Sequence, residues 1–288
     1  MAYLNPTQTA RPDFIWPVFR FLAYQQAAVS QRKVLAFTAP ESLGGGGSDT
    51  TMSLRTLREL GFLETEGQGD DALWSLGPRG RNVGVDDYDA FQRNLRSALF
   101  ATSESGGWAM ADGVAEDLTR ALCWFLTSDP HTRTWSSVQN DKSVPAGVFG
   151  NDTRWPSFQI WGAAAGLVAP APHASNASIA DCGTAVRQSV EDLLEPGEEK
   201  EALEVLRDLR RVLPVLPGGV LSAHFGFVHV NELDAGPALS FALRRGEIEG
   251  WLKLELRSDA PTQIKLFNPD SDFSLLCSSV KRLEADRG

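Results

Sequence analysis

Cysteine and histidine are scarce: the 288-residue chain has three of the first and four of the second. Cys123, Cys182 and Cys277 lie far apart and are odd in number. That excludes a disulfide framework and a CxxC metal site, and a reducing compartment, the cytoplasm, is expected. No apolar run approaches the ~18 residues of a membrane-spanning helix. The polar stretch from Met1 to Pro12 has no apolar core, so no secretory signal is expected. A basic excess is missing too: Lys and Arg total 27 against 37 Asp and Glu, a net charge of −10. No segment is basic. Residues 1–100 hold 10 basic and 11 acidic side chains, 101–150 hold 3 and 6, 151–220 hold 6 and 10, and 221–288 hold 8 and 10. A protein that coats DNA non-specifically needs a cationic face, and this chain has room for one only as a local patch.

What is present is ordinary for a folded protein: 42% hydrophobic and 22% charged residues, enough to bury a core. At about 100–200 residues per domain, two or three domains are expected. Phe14, Ile15, Val18, Phe19, Leu22 and Ala23 follow helical spacing behind Pro12. Ser30 reads as the N-cap of a second helix carrying Val34, Leu35 and Phe37, which Pro40 stops. After a glycine-rich turn (Ser42 to Asp49), Ser48 or Asp49 caps a third helix, Thr50 to Leu60, with Leu54, Leu57 and Leu60 inward and Gly61 at its C-terminal end. Phe62–Glu64 and Ala72–Leu76, joined by a polar turn, read as a β-hairpin.

Three helices followed by a hairpin is the order of a winged helix. The run Leu57-Arg58-Glu59-Leu60-Gly61-Phe62-Leu63-Glu64 … Leu73-Trp74-Ser75-Leu76-Gly77-Pro78-Arg79-Gly80-Arg81 resembles the recognition-helix-and-wing segment of bacterial winged-helix proteins. Residues 86–135 are expected to form a helical linker, with Phe91, Leu95, Leu99, Leu118, Leu122, Phe125 and Leu126 inward and Gly106-Gly107 between the two amphipathic stretches. From Phe149 through Trp161 to Gly166-Leu167-Val168 a polar cap, an aromatic helix and a glycine repeat the first junction. A second winged-helix-like domain over 136–215 is therefore expected, with further helices at Asp181–Leu194 and Glu198–Leu213. In 216–288, a helix at Pro237–Arg245, a strand at Trp251–Leu256, a turn at Ser258–Pro261 and a returning strand at Gln263–Phe267 give a third wing-like unit. The expected fold is thus α+β, mostly α with small β-wings: an N-terminal winged helix over 11–85 and further such modules joined by helical segments.

A winged helix reads duplex DNA by laying its third helix in the major groove. The outward positions are expected to be Thr51, Ser53, Arg55, Thr56, Arg58 and Glu59, since Arg bonds guanine bidentately and hydroxyls reach phosphates. Arg79 and Arg81 stand at the wing base. In the second module, Lys142, Asn151, Thr153, Arg154, Ser157 and Gln159 surround Trp155 and Trp161 and could make a second duplex contact, though a helix cap over a tryptophan core is the favoured reading. In the third, Arg244, Arg245, Lys253, Arg257 and Lys265 are the richest basic set, with Lys253, Glu255 and Arg257 on one strand face and Lys265 on the strand opposite.

Other chemistry lacks its residues. The Gly44–Gly47 run with Ser48 has no following Gly-Lys-Ser/Thr and no preceding strand, so it is a flexible loop rather than a phosphate cradle. His224 and His229 face opposite sides of the strand expected over His224–Val230, and His131 and His173 stand alone, so no metal is expected. Asp234, Glu249, Lys253 and Glu255 are the nearest approach to a magnesium nuclease but lack a sheet core. No cysteine has a base beside it. The chain is read as non-catalytic and without a cofactor.

Over most of its length the chain resembles the DpdG-type accessory proteins of bacterial defence islands built around deazaguanine DNA modification. The resemblance rests on Leu57 to Arg81, on Asn151 to Val168 with Arg154-Trp155-Pro156-Ser157-Phe158, on Val212-Leu213-Pro214-Val215-Leu216, and on Leu239 to Phe267 with Ser258-Asp259-Ala260-Pro261. It implies a duplex-DNA-binding or scaffolding subunit that works beside an ATPase or nuclease in anti-phage defence. Two alternatives stay open: a pure protein–protein adaptor, favoured by the net charge, and a ligand-sensing transcriptional regulator.

Overall fold

The structure, a computed structural model, describes residues 2–5, 10–25, 27–40, 42, 47–101, 115–139, 141–150, 152–227, 231–271 and 273–284. It is a mixed α and β fold with small antiparallel sheets. The chain forms two compact units, one comprising residues 1–118 and 153–164, the other residues 119–152 and 165–288.

In the first unit, α1 (Pro12–Gln25), β1 (Val29–Ser30), α2 (Gln31–Thr38), α3 (Ser48–Glu59), β2 (Leu63–Glu66), β3 (Leu73–Leu76) and α4 (Tyr88–Leu99) follow one another. The three strands form one antiparallel sheet in the order β1-β3-β2, with Leu63 opposite Leu76 and Val29 opposite Trp74. Ser30 caps α2 as expected, its hydroxyl accepting from the Lys33 amide. The sharp exit from α3 follows from Gly61, whose φ of +76° suits glycine. There the Phe62 amide donates to Leu57 O and the Gly61 amide to Arg58 O, the paired bonds of a Schellman ending. This turn drives Phe62 inward, where its ring lies 5.7 Å from Phe19 and 4.9 Å from Phe91. These three rings, with Leu54 and Leu57 of α3, are the centre of the core. The unit is completed by α6 (Trp155–Ala164), which packs on α1 and seats Trp161 against Tyr3. The boundary between the units falls within α5 (Glu116–Phe125).

The second unit holds β4 (Ala169–Pro170), β5 (Ser178–Ile179), α7 (Gly183–Leu193), β6 (Glu199–Glu201), α8 (Ala202–Val212), α9 (Val220–His224), α10 (Pro237–Ile248), β7 (Leu252–Glu255), β8 (Ile264–Leu266), β9 (Leu275–Cys277) and β10 (Ser279–Arg282). Its central sheet has the order β6-β10-β7, and β8 pairs with β9. Here the expected third wing is corrected. Strand β7 does not turn back onto β8; its partner is β10, whose fully buried Val280 faces Leu254. Lys265 is therefore not opposite Lys253 but opposite Leu276. The helix and strand of the expected second module also fall in different units, and β4 and β5 are two residues each. His224 ends a helix rather than opening a strand, and residues 228–230, with His229, lie outside the described residues.

Buried Arg210 organises the long connection after α8. Its guanidinium donates to Pro217 O, Glu232 O and Asp234 O at 2.9, 2.8 and 2.6 Å. Gly218 permits this, because a Cβ there would lie 2.7 Å from the guanidinium carbon. Among the described residues no helix is long and apolar enough to cross a membrane.

Candidate nucleic-acid interface

Helix α3 starts at Ser48 with Gly47 at the N-cap and no side-chain capping bond, so neither Ser48 nor Asp49 caps it. Its buried face is wider than the leucines alone suggest: Thr50, Ser53 and Thr56 join Leu54 and Leu57 inside. Ser53 and Thr56, expected to face outward, are thereby corrected. The Ser53 hydroxyl donates to Asp49 O at 2.8 Å, and the Thr56 hydroxyl accepts from the Ala10 amide at 3.3 Å. A small hydroxyl can meet its hydrogen-bonding need on the backbone one turn back, so it enters a core without a polar partner from solvent. Thr51 is half-buried and its hydroxyl donates to Gly47 O at 2.9 Å.

Arg55 and Arg58 are exposed, and neither makes an ion pair or a side-chain hydrogen bond among the described residues. Three residues apart on a helix, they project side by side. The arginines that follow β3 differ. Arg79 is half-buried and donates to Ser97 Oγ at 3.2 Å. Arg81 donates to Leu76 O at 3.0 Å and to Glu64 at 2.9 Å, tying β2 and β3 together.

Sequence reasoning passed over two features beside α3. The first is the pair Arg32 and Lys33 in the first turn of α2, both exposed. Cations there oppose the helix dipole, so they are not placed for helix stability. That conflict was visible in Ser30-Gln31-Arg32-Lys33. The second is the tip of the β2–β3 hairpin. Residues 66–71 are all exposed and carry Glu66, Asp70 and Asp71. The tip forms a 3-10 turn, Gly69–Asp71, that packs against α2, and the Gln31 amide donates to Ala72 O at 2.9 Å. Asp71 lies 3.8 Å from Arg32.

In the second candidate set, Trp155 and Trp161 are core residues, 3% and 1% exposed. Arg154 is half-buried at the last position of a 3-10 turn and makes no ion pair among the described residues. Asn151 lies outside the described residues. Lys142 is exposed.

The third set is largely neutralised. Arg245 donates to Asp181 at 2.7 Å and to Glu249 at 2.6 Å. These bonds, the one to Glu249 foremost, raise its pKa. Lys253 pairs with Glu255 at 2.8 Å; that hydrogen bond raises the ammonium pKa and lowers the carboxyl's. Arg257 reaches Glu199 at 2.6 Å and Glu255 at 3.6 Å. Only Arg244, half-buried, and Lys265, exposed, have no ionic partner among the described residues.

The residues weighed for metal or nucleophile chemistry are spent on structure. Glu249 accepts from Arg245 and from the Trp251 indole, and the Asp234 carboxylate accepts from the Gly236 amide. Among the described residues no three His, Cys, Asp or Glu side chains gather as a metal site. All three cysteines are buried. Burial pushes the thiols of Cys123 and Cys182 far up and that of Cys277 to about 11, away from the thiolate a nucleophile needs.

The family model described as DpdG-like matches residues 1–260 of the chain. No curated protein and no solved structure matches it.

Proposed function

The chain belongs to the DpdG-like family, and from that premise we propose that it is a non-catalytic, duplex-DNA-binding and scaffolding subunit of a bacterial anti-phage defence complex. The family sets the context, deazaguanine DNA modification and defence. In this reading the first unit is a winged helix: α3 is its recognition helix, β2 and β3 are its wing, and β1 completes the sheet.

One observation carries the DNA-binding half. Arg55 and Arg58 stand exposed and unpaired on the outward face of α3, while Arg81, Arg245, Lys253 and Arg257 are held by acids and Arg154 and Arg244 are half-buried. A free guanidinium on a helix that fits the major groove can bond guanine O6 and N7, or a phosphate, without first giving up an intramolecular partner. Arg32 and Lys33, on the helix that crosses the backbone in such motifs, add phosphate contacts. The scaffolding half rests on the net charge of −10 and on apolar side chains left exposed in the second unit, Leu256, Phe273, Leu275 and Leu276. The partner is an ATPase or nuclease of the same defence system. Co-purification with it is expected to be lost on changing Leu275 and Leu276 to Glu.

The deciding experiment is a fluorescence-anisotropy titration with a random duplex of about 30 base pairs at low and moderate salt, where phosphate contacts make affinity fall steeply as salt rises. Micromolar or tighter, salt-sensitive binding is expected, falling about 10- to 100-fold in Arg55→Ala/Arg58→Ala. Affinity unchanged in that variant sinks the assignment of α3. No binding at low salt leaves the protein–protein adaptor as the better reading.

A further inference from the structure

The wing is negatively charged where wings of this architecture approach DNA, and this asks for a reason. Glu66, Asp70 and Asp71 occupy the tip, exposed together within six residues. Against them stands no cation of the wing itself; Arg81, at its base, is already bound to Glu64. The tip is fixed against α2 through its 3-10 turn and through the Trp74 indole, which donates to Gln31 at 3.3 Å. This brings the Asp71 carboxylate beside Arg32. The Arg32–Asp71 contact is long, 3.8 Å, between side chains 76% and 92% exposed. A pair so exposed is worth little and does not account for three acids.

We propose that the wing tip is an electrostatic brake on duplex binding: Glu66, Asp70 and Asp71 repel the phosphate backbone beside α2 and confine productive contact to α3. The inference rests on the α3 reading above and adds specificity to it. Sequence-independent affinity grows with the number of phosphates neutralised. A wing that subtracts from this term leaves a larger share of binding to base contacts at Arg55 and Arg58. It also agrees with a chain that is acidic in every segment.

The test uses the full chain and the random duplex. Asp70→Lys/Asp71→Lys places two cations at the tip, where both side chains are in solvent and the fold is spared. A variant of equal charge change, Glu195→Lys/Glu284→Lys, alters exposed acids of the second unit and controls for net charge. Asp70→Asn/Asp71→Asn removes the repulsion alone. The brake predicts that the tip lysines raise affinity about tenfold at low salt and steepen the dependence of log K on log salt by about one to two, as one or two new phosphate contacts require. The asparagine pair gives a smaller rise, and the control gives less than either. Equal gains in the tip variant and the control overturn the brake, because the effect is then one of net charge. So does an unchanged affinity in the tip variant. The α3 reading is tested separately by adding Arg55→Ala/Arg58→Ala to the lysine variant. A loss of affinity keeps α3 as the reader, whatever the tip does. No loss rejects α3 even if the tip lysines promote binding. If neither wild type nor tip variant binds at low salt, both inferences fail.

Discussion

The outward arginines of α3 and the basic set around β7 look alike as residue types, yet they behave oppositely. Arg55 and Arg58 have no partners among the described residues. Arg245, Lys253 and Arg257 are each within 3 Å of a carboxylate, and Arg210, deeper still, holds three carbonyls. A cation count thus says little about a cationic surface. What matters is whether the fold returns an acid to each cation. In the second unit it does so for Arg245, Lys253 and Arg257, though not for Arg244 and Lys265. In the first it leaves two on a helix face. Duplex binding by the arginines of the second unit, or a stabilising role for those of α3, would erase this difference.

The largest expected effect lies at Arg210. Arg210→Ala strips three carbonyls, one buried and two partly buried, of their donor and leaves a hole beside Gly218. A loss of about 3–5 kcal/mol of stability is expected, read as the midpoint shift in urea unfolding. Burial already lowers the Arg210 pKa, so the charge itself is costly there. A shift below about 0.5 kcal/mol in this variant would make the three bonds incidental.

Alkaline pH comes next, because all three cysteines lie in the second unit. Each thiol is neutral in the fold and ionises more easily once unfolded, where its ordinary value is near 9. Above that pH the unfolded state binds fewer protons, so stability falls as pH rises, by up to ~1.4 kcal/mol per thiol per pH unit. For Cys277 the fall ends near pH 11, where the folded thiol also ionises. Hydrogen exchange compared at pH 8 and pH 10 in amides of the two units is expected to show the second loosening first. The opposite order would contradict the burial of these thiols.

Much of the first unit was legible. Local signals set it: the 3.6-residue spacing of α1 and α3, the Ser30 cap, Gly61, and the two short strands. Each is written within a dozen residues. The orientation of Ser53 and Thr56 was not legible, because a hydroxyl can face either way and the outcome depends on what packs above it, here the segment at Ala10. The second unit was less readable for a physical reason. Its central sheet joins β6, β7 and β10 across long stretches of chain, and Ser279-Val280-Lys281-Arg282 carries no strand signal of its own. Two of the ion pairs share this trait: Asp181 lies 64 positions from Arg245, and Glu199 is similarly remote in sequence from Arg257. Their other partners, Glu249 and Glu255, stand within four residues of the cations and were legible.

The smallest effect is expected from Lys253→Ala/Arg257→Ala. Both side chains are more than half exposed, and their partners, Glu255 and Glu199, are about a quarter exposed and gain contact with water when released. Exposed pairs contribute about 0–1 kcal/mol, so the urea midpoint is expected to move little. Duplex affinity is expected to hold as well, because each cation must leave a carboxylate before it can meet a phosphate, and the freed Glu199 and Glu255 would then repel the same backbone. The measurement is the anisotropy titration used for α3, with both double variants side by side. A drop as large as that of Arg55→Ala/Arg58→Ala would mean that an approaching duplex displaces these carboxylates, and the interface would then extend to the sheet of the second unit. Unchanged binding would keep duplex contact with the unpaired arginines of α3.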